Sequence, residues 1–252
     1  MEKNKRGFLM NILSIGNSFS EDAQRYLHGI AKADGVDLYV VNLCIGGCSL
    51  ESHAANVKSD AKAYVFQENG VITERLMSLE EGLSLVKWDI VTIQQVSVQS
   101  FREESYYPYI YELSDFVRSH APGAKLLIQK TWAYEDGCDR LEEIRGDRRA
   151  ETMYQELCAA YAKAAKEISA DGVIPSGDLM DLMRRKGIGG LYRDTFHASW
   201  GFGRYAIGLL WYHVLTGADV TENSYRGFDE DVSEEQIAVA KACVMEFEPI
   251  LG

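Results

Sequence analysis

The sequence predicts an α/β fold in which helices cover both faces of a mainly parallel β-sheet. Short apolar runs alternate along the chain with longer stretches whose apolar residues recur at helical spacing. Such alternation is typical of strand–helix–strand units, whose strands lie parallel in one sheet. The chain has 252 residues, of which 46% are hydrophobic, so it is long enough to bury one sizeable core.

The first predicted elements are two strands separated by a helix. The strands are at residues 11–15 and 38–43, and the helix is at 22–33. A less regular region follows. Within it, two short runs at residues 63–75 flank Asn69-Gly70, a dipeptide that accepts the positive φ of a tight turn. We therefore expect a small hairpin at 63–75 that decorates the sheet.

The remaining elements continue the alternation of helix and strand. In chain order they are a helix at 79–86, a strand at 89–94, a helix at 109–120, a strand at 124–129, a helix at 148–169, a strand around 173–174, and helices at 199–216 and 234–247. Pro175 opens the turn after the shortest of these strands. We find no internal repeat, so we expect a single domain over residues 1–252 that carries the hairpin as an insertion.

Composition and charge exclude several classes of protein. The formal net charge is -12, whereas a protein that binds nucleic acid needs clustered lysine and arginine. No run approaches the roughly 20 apolar residues of a membrane span. The five cysteines include no CxxC pair, and we see no export signal ahead of the first strand. We expect a soluble, cytoplasmic protein with reduced thiols and no nucleic-acid or membrane partner.

A candidate nucleophile follows the first strand. Ligands of open α/β sheets bind beyond the carboxyl ends of the strands, and Gly16-Asn17-Ser18-Phe19 lies at such an end. The glycine allows a sharp turn that holds the next side chains at the rim of the sheet. Ser18 is therefore the predicted nucleophile. The alternative is that Ser18 only caps the helix that follows it.

A serine nucleophile needs a base, a group that orients the base, and donors for the oxygen that becomes negative. His197 is the predicted base, and Asp194, about one helical turn earlier, can accept from its other ring nitrogen. The Ser18 amide is the first predicted oxyanion donor. Gly47 is the second, since the Gly46-Gly47 pair lets the backbone approach a ligand. The other four histidines lack partners at metal-ligand spacing, so we predict no metal and no cofactor.

These motifs resemble blocks of the SGNH (GDSL-like) hydrolases, and more narrowly the DUF4886-like branch of that family. Residues 16–20 resemble the block with the serine, residues 42–49 the block with the glycine, and residues 194–197 the final Asp-x-x-His block. The resemblance implies a flavodoxin-like three-layer α/β/α fold and ester hydrolysis. The third block departs from the family, because Ile93-Gln94-Gln95-Val96-Ser97 has no asparagine. Gln95 is the predicted replacement donor, with Gln94 and Ser97 as alternatives.

The function that the sequence predicts is hydrolysis of a small ester by a serine nucleophile. Four tyrosines at positions 106–111, with Trp132 and Tyr134, follow the predicted strands, and flat aromatic faces suit sugar rings. The tyrosine spacing fits a half-buried helix face equally well. We expect an acylated carbohydrate as substrate, an acetylesterase-like activity, and contacts to the substrate from Asn17 and Trp132. The alternative function is a glycan-binding module that is weak or inactive as an enzyme.

Overall fold

A computed structural model describes residues 9–251, which form one seven-stranded sheet flanked by helices. The strands are β1 (Leu9–Gly16), β2 (Asp37–Cys44), β3 (Tyr64–Glu68), β4 (Val71–Met77), β5 (Ile90–Ile93), β6 (Lys125–Gln129) and β7 (Gly172–Ile174). The α-helices are α1 (Ser18–Gln24), α2 (Leu27–Ala33), α3 (Leu50–Ser59), α4 (Leu79–Leu83), α5 (Tyr109–His120), α6 (Asp139–Arg145), α7 (Ala150–Glu167), α8 (Ser176–Arg185), α9 (Phe202–Thr216) and α10 (Glu234–Val244).

The strand order confirms the predicted fold class. The sheet runs β4-β3-β2-β1-β5-β6-β7, and the five strands from β2 to β7 in that order are parallel. Among these five, β1 occupies the second position and β2 the edge beside it. The chain then forms β5, β6 and β7 one after another on the other side of β1. This is the flavodoxin-like order, in which the direction of strand addition reverses between β1 and β5. Ligand sites of such sheets lie at that reversal.

The central strand shows why this segment forms a buried parallel strand. Ile12, Leu13 and Ile15 of β1 are almost fully buried, as expected for a strand covered on both faces. The buried polar residue Ser14 is hydrogen-bonded at 2.6 Å both to the Thr92 hydroxyl and to the Gln24 amide. Its burial is therefore compatible with a stable core.

A hairpin extends the sheet beyond β2. β3 pairs antiparallel with β2 and with β4, and the chain turns at Asn69 and Gly70, both of which have positive φ. Val71 and Ile72 on the edge strand β4 are more than half exposed. The hairpin therefore widens the sheet on the side away from β5 to β7.

α9 is covered by protein on all sides. All of its residues from Phe202 to Leu215 are buried, and it packs against α1, α2, α8 and α10. No helix among residues 9–251 combines the length and the apolar character that crossing a membrane requires.

The structure corrects the predicted helices in several places. The helix expected at 22–33 is two helices, α1 and α2, and the first begins at Ser18 because the Asn17 side chain caps it. Three helices were not predicted, namely α3, α6 and α8. Leu141 is the only buried residue of α6, so its sequence carries almost no apolar periodicity.

Candidate active site

The turn after β1 places Ser18 at the carboxyl edge of the sheet. A Cβ on Gly16 would lie 2.4 Å from the Ser20 hydroxyl, so a larger residue would disturb this close packing. Asn17 then caps α1 by accepting from the Phe19 amide at 3.0 Å. Because Asn17 is the cap, Ser18 is the first residue of the helix and its hydroxyl does not serve as the cap.

Ser18, His197 and Asp194 form a continuous hydrogen-bonded chain. The Ser18 Oγ lies 2.7 Å from His197 Nε2, and His197 Nδ1 lies 2.7 Å from Asp194 Oδ2. A carboxylate only accepts, so Nδ1 carries the proton and Nε2 accepts from the serine hydroxyl. The structure thus brings together three predicted residues that come from opposite ends of the chain.

The Asp194 carboxylate is held in its ionised form. Burial opposes ionisation, but the hydrogen bonds from the His197 ring and the His197 amide outweigh it, so the pKa of Asp194 lies below its usual value. The amide bond is 2.8 Å long. Asp194 can therefore stabilise a positive charge on the imidazole at neutral and mildly acidic pH.

The segment between Asp194 and His197 has an unusual backbone. Thr195 has a φ of 72°, in the left-handed region that β-branched residues rarely adopt. Its carbonyl accepts from the Glu135 amide at 2.7 Å, and the next carbonyl, of Phe196, accepts from the Trp132 indole at 2.8 Å. The loop after β6 therefore holds this strained turn through two successive carbonyl groups.

Asp22 fixes the same loop from the side of α1. Its carboxylate is fully buried and accepts from the Arg193 guanidinium at 2.9 and 3.0 Å, from the Arg204 guanidinium at 2.8 Å and from the Ala198 amide at 3.1 Å. Burial raises the pKa of Asp22, and the two guanidinium charges oppose that effect. Arg193 and Ala198 directly flank Asp194 and His197, so Asp22 links both ends of the loop to the helix of Ser18.

The Gly46-Gly47 segment forms a tight turn beside Ser18. The Cys48 amide donates to the Ile45 carbonyl at 3.1 Å and Gly47 has a φ of 65°, as in a type II turn. The Asn17 side chain donates to the Cys48 carbonyl at 3.0 Å and so ties this turn to the start of α1. Within residues 9–251, neither the Ser18 amide nor the Gly47 amide has a hydrogen-bond partner. Both amides are therefore available to a ligand.

These groups line one cleft at the edge of the sheet. The cleft has a volume of about 420 Å³, and its walls include Ser18, Gly47 and His197. Ser97, Tyr134 and Arg140 line it as well. A second groove of about 470 Å³ lies near Trp200, but its arginines are paired with acidic side chains in the same groove.

The structure does not bring Gln95 to the cleft. Its side-chain oxygen accepts from the amides of Leu50 and Val96, and its side-chain nitrogen donates to Ser105. The side chain is fully buried and joins the start of α3 to the connection between β5 and α5. Gln94 donates to the Asn17 side chain at 2.8 Å and thereby supports the cap of α1. Of the three alternatives, only Ser97 lines the cleft.

Trp132 and Asn17, the expected substrate contacts, have different environments. Trp132 is fully buried and stacks on Phe19, with ring centroids 4.3 Å apart. It lies beneath the cleft and supports the His197 loop, so it is not placed to touch a ligand. Asn17 lines the cleft, but its side chain is committed to Phe19, Cys48 and Gln94.

The tyrosine cluster that follows β5 lies outside the cleft. Tyr106 is fully buried, and the hydroxyls of Tyr109 and Tyr111 donate to Glu51 and Glu167. These contacts do not support an aromatic sugar-binding face, and of the four tyrosines only Tyr109 and Tyr111 lie on an α-helix, α5. Tyr134, in contrast, lines the cleft, and its hydroxyl lies 2.9 Å from the Ser97 hydroxyl.

Several residues at or beside the cleft could not be predicted from the sequence. Asp22, Arg193 and Arg204 lie in helices or loops where charged residues are ordinary, and nothing in their spacing indicates that they meet. Arg140 lies in the unpredicted helix α6. No three His, Cys, Asp or Glu side chains within residues 9–251 are grouped as metal ligands.

One protein-family model matches most of the sequence. Residues 11–246 match the model described as "Domain of unknown function (DUF4886)". The chain belongs to the DUF4886 family. A crystal structure of a family member from Bacteroides uniformis is similar over 95% of this chain and 94% of its own, with 32% sequence identity and a TM-score of 0.88. A comparison with curated protein sequences returned no match.

More distant structures share the fold. A protein from Slackia heliotrinireducens that is assigned to the SGNH hydrolases is 23% identical, with a TM-score of 0.57 over 80% of this chain and 96% of its own. A variant of an acetyl xylan esterase from Geobacillus stearothermophilus is 16% identical, with a TM-score of 0.50 over 81% of this chain and 91% of its own. This DUF4886 chain therefore has the SGNH hydrolase fold.

Proposed function

We propose that the protein is a serine esterase in which Ser18 is the nucleophile. The single observation that carries this proposal is the hydrogen-bonded chain from the Ser18 hydroxyl through His197 to Asp194, with both links at 2.7 Å. An N-cap role does not account for this geometry, because Asn17 already caps the helix. Membership of a fold shared with esterases agrees with this chemistry.

The reaction proceeds in two steps. His197 Nε2 takes the proton of Ser18 as the hydroxyl oxygen attacks the ester carbonyl, and Asp194 stabilises the imidazolium that forms. The protonated imidazole then gives its proton to the leaving alcohol, and an acyl-enzyme remains on Ser18. Water, deprotonated by His197, attacks the acyl-enzyme, and the acid leaves as Ser18 recovers its proton.

The oxyanion of each tetrahedral intermediate is held by backbone amides. The amides of Ser18 and Gly47 are the donors, since both lie at the cleft and neither is used within residues 9–251. Gln95 is not part of this set because both ends of its carboxamide bind other groups. Loss of one oxyanion donor typically lowers the rate by roughly 10²- to 10³-fold, so two donors support a slow enzyme.

The substrate class we favour is an acylated carbohydrate. The cleft of about 420 Å³ suits a small ligand, and Phe196 offers an aromatic face at its wall. Activity on nitrophenyl acetate but not on long-chain nitrophenyl esters would support a deacetylase. Preference for long acyl chains would overturn the carbohydrate ester and favour a lipid.

Labelling with a fluorophosphonate tests whether Ser18 is activated. We expect the wild type to label and Ser18→Ala to remain unlabelled, since only a serine paired with a base reacts rapidly. Ser20→Ala is a matched control in the same helix turn, because the Ser20 hydroxyl donates to Asn17 and Asn42 and not to a base. Equal labelling of wild type and Ser18→Ala would overturn the esterase proposal and favour a glycan-binding module.

A further inference from the structure

Arg140 gives the cleft a charge that the proposed ester chemistry does not use. Within residues 9–251, it is the only lysine or arginine among the side chains that line the cleft, and no Asp or Glu side chain lines it. The chain as a whole carries a net charge of -12. The walls of the cleft therefore carry a positive charge, whereas the protein as a whole is negatively charged.

The guanidinium of Arg140 is only weakly committed elsewhere. Its hydrogen-bonded partner is Glu143, one turn further along α6, at 3.0 Å. The two side chains are 44% and 61% exposed, and exposed pairs of this kind contribute little to stability. An anion in the cleft can therefore replace Glu143 at small cost.

Arg140 is close to the reacting groups. Its guanidinium carbon lies 5.8 Å from the centre of the Phe196 ring, which in turn lies 4.1 Å from the centre of the His197 ring. The guanidinium is thus within about 10 Å of the imidazole. A separation up to this limit accommodates a second substituent on the same sugar ring or the far end of a short acyl chain.

The wall beside Arg140 is aromatic and rigid. The Tyr134 ring packs on Phe196, with ring centroids 5.2 Å apart, and its hydroxyl lies 2.9 Å from the Ser97 hydroxyl. Tyr134 is fully buried, so it supports Phe196 from behind and is not placed to touch a ligand. The Arg140 guanidinium is the positively charged group of this wall, and its parallel N–H donors suit a carboxylate.

We propose that Arg140 forms a subsite for a carboxylate carried by the ester substrate. This inference rests on the proposed esterase function and narrows its substrate to an acidic ester. The carboxylate belongs either to the alcohol, as in an acetylated sugar acid, or to the acyl group, as in a dicarboxylic half-ester. Both sources present the same group to the guanidinium.

Two matched substrate pairs test the subsite and distinguish the sources. Acetoxybenzoate against its methyl ester varies the charge on the alcohol, and nitrophenyl hemiadipate against nitrophenyl hexanoate varies the charge on the acyl group. We expect the wild type to prefer the acid in one pair by about tenfold in kcat/KM, as a charge-assisted contact typically provides. The preference should decrease as salt is added.

Variants show whether Arg140 causes the preference. Arg140→Gln should reduce the ratio of acid to neutral kcat/KM to about one. Arg148→Gln is the matched control, since Arg148 is half-exposed, lies three residues beyond α6 and does not line the cleft. It removes the same charge and should keep the wild-type ratio.

The outcomes separate the two proposals. If Ser18 labels with fluorophosphonate and the neutral esters are hydrolysed, but Arg140→Gln and wild type have the same ratio in both pairs, the carboxylate subsite is wrong and the esterase proposal stands. If Ser18 does not label and no ester is hydrolysed, both proposals fail. A ratio that falls equally in Arg148→Gln would also overturn the subsite, because it would indicate a general effect of surface charge.

Discussion

The proton on His197 Nδ1 determines what Ser18 can do. As long as Asp194 accepts a hydrogen bond from Nδ1, Nε2 carries no proton and can accept from the serine hydroxyl. The two distances of 2.7 Å are consistent with this arrangement. The same carboxylate also accepts from the His197 amide, so it sets both the tautomer and the position of the ring.

Asp194→Asn tests the tautomer directly. The asparagine amide would donate to Nδ1 and move the ring proton to Nε2, where it blocks acceptance from Ser18. We expect kcat on nitrophenyl acetate to fall by roughly 10³- to 10⁴-fold. The side-chain oxygen that accepts from the His197 amide is retained, so the melting temperature should change little. A loss of less than tenfold would mean that Asp194 does not orient the base.

His53 supplies a pH-dependent contribution to stability. Burial lowers its pKa to about 3 from a usual value of 6.5, and within residues 9–251 its Nε2 has no hydrogen-bond partner. Below pH 6.5, His53 binds a proton in the unfolded chain but stays neutral in the folded chain. The free energy of unfolding should therefore decrease by roughly 1.4 kcal/mol per pH unit as pH falls from about 6.5 towards 3.

His53→Gln should remove that part of the pH dependence. Urea unfolding of both proteins between about pH 7 and pH 4.5 measures it, with the wild-type curve steeper than the variant curve. Parallel curves would show that His53 accepts a proton in the folded state. The readout is the slope, so a constant loss of stability in the variant does not affect the conclusion.

At the level of residues, short motifs were predictable and long-range partners were not. Ser18, Gly47, Asp194 and His197 each belong to a local pattern whose geometry follows from a few neighbouring residues. Gln95 looked equivalent to a donor because it follows a strand and carries an amide. Two of its actual partners, Leu50 and Ser105, lie ten or more residues away, and no local pattern indicates them.

At the level of elements, α1 and the loop of residues 193–198 behave as one unit. Asp22 joins them, and the guanidinium groups of Arg193 and Arg204 pack against the Trp200 ring at 3.8 and 4.1 Å. The proposed nucleophile Ser18 lies in α1 and the proposed base His197 lies in the loop. Their relative position therefore depends on this buried junction.

Asp22→Asn should weaken the junction and lower activity. Removing one partner of a buried ion pair typically costs roughly 3–5 kcal/mol, because the arginines lose their compensating charge. We expect kcat to fall about 10- to 100-fold with little change in KM, since the substrate walls remain and the Ser18–His197 alignment loosens. Fluorophosphonate labelling at a temperature well below the melting point checks this.

Arg25→Gln is the control for that experiment. Arg25 pairs with Asp229 at the outer edge of the same charged cluster and does not contact residues 193–198. It should lower stability without slowing the labelling of Ser18. If both variants slow labelling in proportion to their loss of stability, Asp22 has only a structural role.

Elements were predictable where apolar periodicity is strong. The strands of the parallel sheet were located because their residues are buried on both faces. α6 was missed because a surface helix with one buried residue resembles a charged loop. α8 was missed because Pro175 indicated a turn, although a helix begins directly after it.

At the level of the whole molecule, α9 joins the N-terminal helices α1 and α2 to the C-terminal helices α8 and α10. Leu209 and Leu210 point in directions about 100° apart, yet both are fully buried. A helix that covers only one face of a sheet leaves its opposite side exposed, whereas every residue of α9 from Phe202 to Leu215 is buried. α9 is therefore enclosed within the hydrophobic core, where it packs against α1, α2, α8 and α10.

Leu209→Ala and Leu210→Ala test this arrangement. Each should lower the free energy of unfolding by roughly 2–5 kcal/mol, since each leaves a cavity in a fully enclosed site. Val86→Ala is a suitable control because Val86 is 39% exposed, and its substitution should change stability by less than about 0.5 kcal/mol. Chemical denaturation measures all three. A small effect at either leucine would indicate that one side of α9 is open to solvent.

The separation of Ser18 from His197 has a consequence during synthesis. The two residues are 179 positions apart. A ribosome therefore releases the serine well before the imidazole. A nascent chain that still lacks His197 has no base beside the Ser18 hydroxyl. Under the proposed mechanism, ester turnover would report whether a molecule has brought these two distant segments together correctly.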